Sequence, residues 1–195
     1  VNAGTTYRLS IFASGSGTNA EAIMKYFQSH TQIEVVALFS NREDAFALER
    51  ARKFNVPAKA FSKAQWNDGA VLQWLIDNQT THVVLAGFLW LVPQHTINLF
   101  PDKIINIHPA LLPKFGGKGM YGNKVHEAVK AAGEKETGIS IHLVNENYDE
   151  GKILFQATCV VDEKDTAEDI AKKIHALEHA HFPGVIESWI LGKKE

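Results

Sequence analysis

The sequence predicts an α/β fold: a Rossmann-like, mainly parallel sheet flanked by helices, with a C-terminal antiparallel hairpin and a long terminal helix. Three observations predict it. Short apolar runs alternate with segments of helical spacing as far as Pro109, the pattern of βαβ units. A Gly-rich turn, residues 14–19, joins the first run to the first helical segment. Two strand-like segments, residues 138–144 and 153–161, flank a polar turn, which reads as a hairpin.

Each element has its own signal. Residues 7–13 form the first strand, and Ala20, Ile23, Met24 and Phe27 mark one face of the first helix. Residues 33–39 form the second strand. Residues 44–54 form a helix that Asn55-Val56-Pro57 breaks, and residues 58–61 a short strand. Residues 67–78 read as one helix, with Val71, Leu72, Leu75 and Ile76 apolar. Residues 82–86 are a buried strand that runs into an unusually apolar turn, residues 87–93. Residues 93–100 form a short helix, residues 104–108 the next strand, 111–123 a Gly-rich loop, and 125–132 a helix. The terminal helix spans 166–191, with Pro183 marking a break.

Composition narrows the function classes. The chain has 195 residues, 45% hydrophobic and 22% charged, with a net charge of -2. That length suits one domain, and the charge gives no basic field for nucleic acid or a membrane surface. No apolar run approaches the ~18 residues of a membrane span, and no signal peptide is evident, so a cytoplasmic protein is expected. Residues 1–6 read as a loose terminus. Cys159 stands alone in an apolar run, which suggests a buried, inert thiol. Sequence leaves monomer and homodimer open.

Two stretches carry chemistry. In Ile104-Ile105-Asn106-Ile107-His108-Pro109, a period of two puts Asn106 and His108 on one face and Ile105 and Ile107 on the other. Pro109 has no N–H and stops the ladder. Ligand sites in open parallel sheets lie just beyond such strand ends. An amide and an imidazolium there can stabilise an oxyanion. A carboxylate from the polar turn, Asp149 among them, would hold His108 charged. The plain alternative is a strand end whose polar groups cap a turn.

The second stretch is the strand, turn and helix start holding Gly15, Ser16, Gly17, Thr18 and Asn19, an anion cradle built from N–H groups and the helix dipole. A tight turn with a Thr or Asn cap is the alternative. A dinucleotide site expects an acid at the end of the second strand. Ser40-Asn41 stands there instead, which favours a phosphomonoester. The apolar turn suits either core or a wall for a flat aromatic ligand. His142 reads as a packed or surface histidine. His175 and His179 have i, i+4 spacing, but no third ligand is evident, so no metal is expected.

These residues carry a resemblance. Asn106-Ile107-His108-Pro109-Ala110-Leu111-Leu112-Pro113 resembles the active-site strand of the folate-dependent formyltransferases. Gly138-x-Ser140, followed by Asp149-x-Gly151, resembles that family's second signature. Ser14-Gly15-Ser16-Gly17-Thr18-Asn19, Ser40-Asn41 with the helix after it, and Glu178-His179-Ala180 are similar to the branch that formylates a glycinamide ribonucleotide. The resemblance runs from Tyr7 to about Leu191 and implies a single formyltransferase domain over residues 1–195.

It implies transfer of the formyl group of 10-formyltetrahydrofolate, a co-substrate, to the amine of 5'-phosphoribosylglycinamide in purine biosynthesis, with no metal. Asn106, His108 and Asp149 would be catalytic. Gly15, Ser16, Gly17, Thr18 and Asn19 would hold the phosphate, and Pro109 and Glu178 the glycinamide. Leu89, Trp90, Leu91, Val92, Asn145, Glu146, Asn147, Tyr148 and Asp149 would line the folate pocket. Residues 64–71 lack the arginine that often meets the folate glutamate, with Lys63 as stand-in. A sister formyltransferase or formylfolate hydrolase, and a non-catalytic nucleotide-binding module, are the rival classes.

Overall fold

A seven-stranded sheet in the order β3-β2-β1-β4-β5-β6-β7 organises the chain. The computed structural model describes residues 6–193, so the expected loose terminus, apart from Thr6, lies outside the described residues. The strands are β1 (Tyr7–Phe12), β2 (Ile33–Ser40), β3 (Ala58–Ala60), β4 (His82–Leu85), β5 (Ile104–His108), β6 (Glu136–Leu143) and β7 (Ile153–Val160). The helices are α1 (Thr18–Phe27), α2 (Phe46–Lys53), α3 (Lys63–Asn67), α4 (Ala70–Asp77), α5 (Gln94–Leu99), α6 (Asn123–Ala131) and α7 (Ala167–Leu191).

Strands β1 to β5 pair in parallel. Alternate side chains go to opposite faces. Leu9, Ile11, Val84, Ile105 and Ile107 join the core under α1, α2, α6 and α7. Phe12, Val83, Leu85 and Ile104 join a second core with Trp66, Val71 and Leu75 from α3 and α4. The strand order reverses between β1 and β4, and the carboxyl ends of strands at such a switch point border a crevice.

Three expectations are corrected and one is extended. The residues expected as one helix over 67–78 are split between α3 and α4, because Asp68 ends α3 and Gly69, at φ 90°, opens α4. α7 runs unbroken through Pro183. The carbonyl that the proline leaves without an N–H belongs to His179, which is exposed and can reach water. β6 pairs with β7 as expected, but it also pairs antiparallel with β5, setting His142 opposite Asn106 and Ser140 opposite His108. Cys159 is half-buried rather than buried, and burial raises its thiol pKa.

Candidate active site

The loop after β1 is held in place from α2. Ala47 N–H donates to Gly15 O at 3.1 Å, and Arg50 Nε donates to Ser16 O at 2.7 Å. Gly17 caps α1 at φ 73° with no side-chain cap. A Cβ there would lie 2.6 Å from Ala47 Cα, so the position needs glycine for both conformation and space. The first N–H groups of α1 have no intrahelical partner by construction, an arrangement that suits an anion. Asn19 is turned aside: its Nδ2 donates to Glu178 Oε2 at 2.9 Å. Backbone N–H groups and the Ser16 and Thr18 hydroxyls are thus the donors this loop can present.

Ser14 ties the phosphate-type loop to the apolar turn after β4. Its Oγ donates to Asn41 Oδ1 at 2.6 Å and accepts from Leu89 N–H at 3.0 Å, and its own N–H donates to Gly87 O. The turn divides its side chains. Phe88 and Val92 are core, whereas Leu89 and Leu91 are about two-fifths exposed. Trp66 Nε1 donates to Leu91 O at 2.9 Å and fixes the backbone.

At the end of β5 the polar groups converge. His108 Nδ1 lies 3.4 Å from Asp149 Oδ2, and His108 Nε2 donates to Phe115 O at 2.8 Å. Asn106 Nδ2 donates to His142 Nε2 at 3.1 Å and lies 3.5 Å from Asp149 Oδ1. Asp149 Oδ2 accepts from Gly117 N–H at 2.9 Å. Ser140, opposite His108, pins the chain after β5 by donating to Ala110 O and accepting from Leu112 N–H. Asp149 itself sits at φ 57°, a left-handed conformation that Asp tolerates better than most residues.

The expected charge on His108 is corrected. Burial pushes its pKa below the ordinary histidine value, more than Asp149 and the Phe115 carbonyl raise it. His108 is therefore biased toward the neutral ring, with its proton on Nε2 facing Phe115 O. Burial alone would raise the Asp149 carboxyl. His142 Nε2 at 3.5 Å, the neighbouring His108 and Gly117 N–H together outweigh burial and leave it below the usual value.

A cavity of about 610 Å³ joins these parts. Its lining includes Gly15, Ser16, Gly17, Thr18 and Asn19 from the loop after β1, Leu89, Trp90, Leu91 and Val92 from the turn after β4, Asn147 and Tyr148, and Asn106, His108, Pro109, Asp149 and Glu178. Asn145 and Glu146 are not among the lining residues; Asn145 Oδ1 instead accepts from Asn147 N–H and shapes the turn. Sequence reasoning missed His126, His142 and His175, which also line it. For His142 the missing signal was the β5–β6 pairing. His126 is buried on α6, and its pKa is lowered, first by burial and then by the neighbouring His175. His175 Nδ1 bonds Glu178 Oε2 at 3.0 Å, which raises its pKa. Asn19 Oδ1 and His126 Nδ1 are buried without a partner among the described residues. No cluster of three or more potential metal ligands occurs among the described residues, and no helix there is long and apolar enough to cross a membrane.

Comparison with known proteins places this geometry in a family. A phosphoribosylglycinamide formyltransferase of Bacillus subtilis (strain 168) is 36% identical over 186 residues, covering 92% of this chain and 93% of that protein. The chloroplastic phosphoribosylglycinamide formyltransferase of Arabidopsis thaliana is 40% identical over 186 residues, which is 92% of this chain. The chain spans 64% of the length of that relative and 60% of one from Vigna unguiculata. A crystal structure of glycinamide ribonucleotide transformylase 1 from Symbiobacterium toebii superposes with a TM-score of 0.89 at 34% identity, covering 96% of this chain and 89% of that one. The formyl transferase family profile matches residues 7–186, and the chain belongs to the formyl transferase family.

Proposed function

We propose that this chain transfers the formyl group of 10-formyltetrahydrofolate to the amine of 5'-phosphoribosylglycinamide, a step of purine biosynthesis. One observation carries the reading. Asn106, His108 and Asp149 meet in the wall of a cavity that the Gly-rich loop after β1 and the apolar turn after β4 also line. The family supports formyl transfer, and the names of the relatives support a phosphoribosylglycinamide acceptor.

The backbone of Gly15, Ser16, Gly17 and Thr18 would hold the phosphate. Pro109 and Glu178 would border the glycinamide, and Asn19 Oδ1 would accept from a substrate donor. Leu89, Trp90, Leu91 and Val92, with Asn147 and Tyr148, would enclose the pterin. Lys63 Nζ lies 4.3 Å over the Trp90 ring, where it would meet the anionic tail.

The chemistry needs no serine or cysteine nucleophile. A neutral amine attacks by itself, and its pKa near ~8 keeps enough of it neutral. The N–C bond forms as the formyl C=O becomes an oxyanion. Asn106 Nδ2–H and a His108 N–H would stabilise that charge. His108 would have to exchange its bond to the Phe115 carbonyl for the substrate. Asp149 would take up the proton that the amine loses. Collapse of the intermediate breaks the bond from carbon to the folate nitrogen, which leaves with a proton passed through His108.

Incubation with 10-formyltetrahydrofolate, with and without 5'-phosphoribosylglycinamide, tests the reading. Tetrahydrofolate is expected only when the ribonucleotide is present. Release without it would indicate a hydrolase, and no release under either condition a binding module.

A further inference from the structure

Three histidines that line the cavity, His126, His142 and His175, have no part in the reaction outlined above. His142 is buried on β6, directly across the antiparallel pair from Asn106. We infer that His142 is a positioning residue that locks the Asn106 amide with its N–H groups, not its carbonyl, turned toward the reacting oxygen. The inference rests on the proposed formyl transfer.

The hydrogen bonds fix the roles. His142 Nδ1 lies 2.8 Å from Leu143 O. A carbonyl only accepts, so Nδ1 carries a proton. An amide nitrogen only donates, so Nε2 offers its lone pair to Asn106 Nδ2 at 3.1 Å, and Asp149 Oδ1, 3.5 Å from Nε2, is too far for a strong bond. A flipped amide would set Asn106 Oδ1 against that lone pair and close to Asp149 Oδ1, an acceptor against two acceptors. The observed orientation avoids this. The second Asn106 N–H faces Asp149 at 3.5 Å, too far for a strong bond, so it remains available to a substrate oxygen.

The surrounding chain supports the lock. A Cβ on Gly151 would lie 1.6 Å from Leu143 O and 3.5 Å from His142 Nδ1. Glycine at this position leaves room for the Leu143 carbonyl to hold the ring. The Asp149-x-Gly151 motif therefore shapes two things: one residue supplies the carboxylate, and the other clears space for the His142 contact.

The test is a double-mutant cycle with a spectroscopic readout. His142→Leu removes the acceptor, and His142→Gln returns an amide near the position of Nε2. His142→Leu is expected to lower kcat by roughly 10- to 100-fold, part of the loss from deleting an oxyanion donor, with KM for both substrates little changed. His142→Gln should recover most of it. In an Asn106→Ala background, His142→Leu should cost little more, because its effect passes through the missing amide. In labelled protein without substrates, the Asn106 side-chain NH2 resonances should shift in His142→Leu and return toward wild type in His142→Gln. A full independent loss of kcat in the Asn106→Ala background, or unmoved Asn106 resonances, would overturn the lock. Wild-type protein inactive toward both substrates would instead remove the proposed function, while the resonances would still report on the lock.

Discussion

Asp149 faces His108 with one carboxylate oxygen and the Asn106–His142 pair with the other, so replacing it tests the whole constellation. Asp149→Asn preserves shape and removes charge. Turnover is expected to fall by about 10² to 10⁴, the range for a lost acid–base or oxyanion element, while both substrates still bind. The pKa of His108, already below its ordinary value through burial, should fall further, because the anion that opposes burial is gone. NMR titration of His108 checks the sign; an unchanged His108 together with full activity would dismantle the constellation. The phosphate-type loop permits a finer comparison between two glycines. Gly15 has open space where a Cβ would stand and no positive φ, whereas a Cβ on Gly17 would collide with Ala47. Gly15→Ala should therefore fold normally yet weaken ribonucleotide binding about tenfold, since its methyl occupies the approach to the backbone. Gly17→Ala should lower stability by roughly 1–3 kcal/mol, the scale of a strained backbone position. Calorimetric titration with each substrate and a melting curve separate the two effects; unimpaired ribonucleotide binding by Gly15→Ala would place the phosphate elsewhere.

At the scale of elements, the turn between β4 and α5 serves two purposes. Phe88 and Val92 pack in the core, and Leu89 and Leu91 face the cavity. Leu91→Asp is expected to reduce folate affinity at least tenfold by placing a charge in an apolar wall, with ribonucleotide affinity and melting temperature nearly unchanged. Phe88→Ala should instead destabilise the fold by about 3–5 kcal/mol. Global unfolding of Leu91→Asp in a thermal melt would show that the turn is core throughout. The sequence alone made the turn visible but not this division, since a run of six apolar or small residues has no period to read. Period two placed Asn106 and His108 on one face of β5, and the structure brings both to Asp149. It could not place His142, because that required knowing which strand pairs with β5. Pro183 misled for a related reason. Whether a proline breaks a helix depends on where the freed carbonyl points, and here His179 is exposed. The charge of His108 was illegible because it depends on burial, a property of the assembled site.

Across the whole molecule, three buried histidines tie stability to pH. His82, His108 and His126 all have lowered pKa values, each chiefly through burial, and His82 reaches about 4. For such a group the unfolded chain binds a proton at a higher pH than the folded one. Stability is then fully present above the unfolded value of about 6.5 and declines as pH falls toward the folded value. For His82 the window runs from about 6.5 to about 4, and the loss at its lower end approaches about 3 kcal/mol by linkage. His175 works in the opposite direction: Glu178 raises its pKa, so its contribution is present below about 6.5 and fades as pH rises through the folded value. Asp149 acts in a different window, losing its contribution as pH falls from the ordinary carboxylate value through its lowered folded value. His82 offers the cleanest test because it is away from the cavity lining. Its ring meets Trp189 edge-on at 4.8 Å and Tyr7 at 5.6 Å, contacts a phenyl ring can keep. Its partner Thr81 Oγ1 also bonds Arg8 N and O, so little hydrogen bonding is lost with the imidazole. His82→Phe is therefore expected to flatten the fall in melting temperature between pH 6.5 and 4 while leaving the value at pH 7.5 within a few degrees of wild type. Melting curves across that range, with NMR titration of His82 in the wild type, provide the check. An identical acid slope in the two proteins would assign the acid sensitivity to the cavity histidines instead.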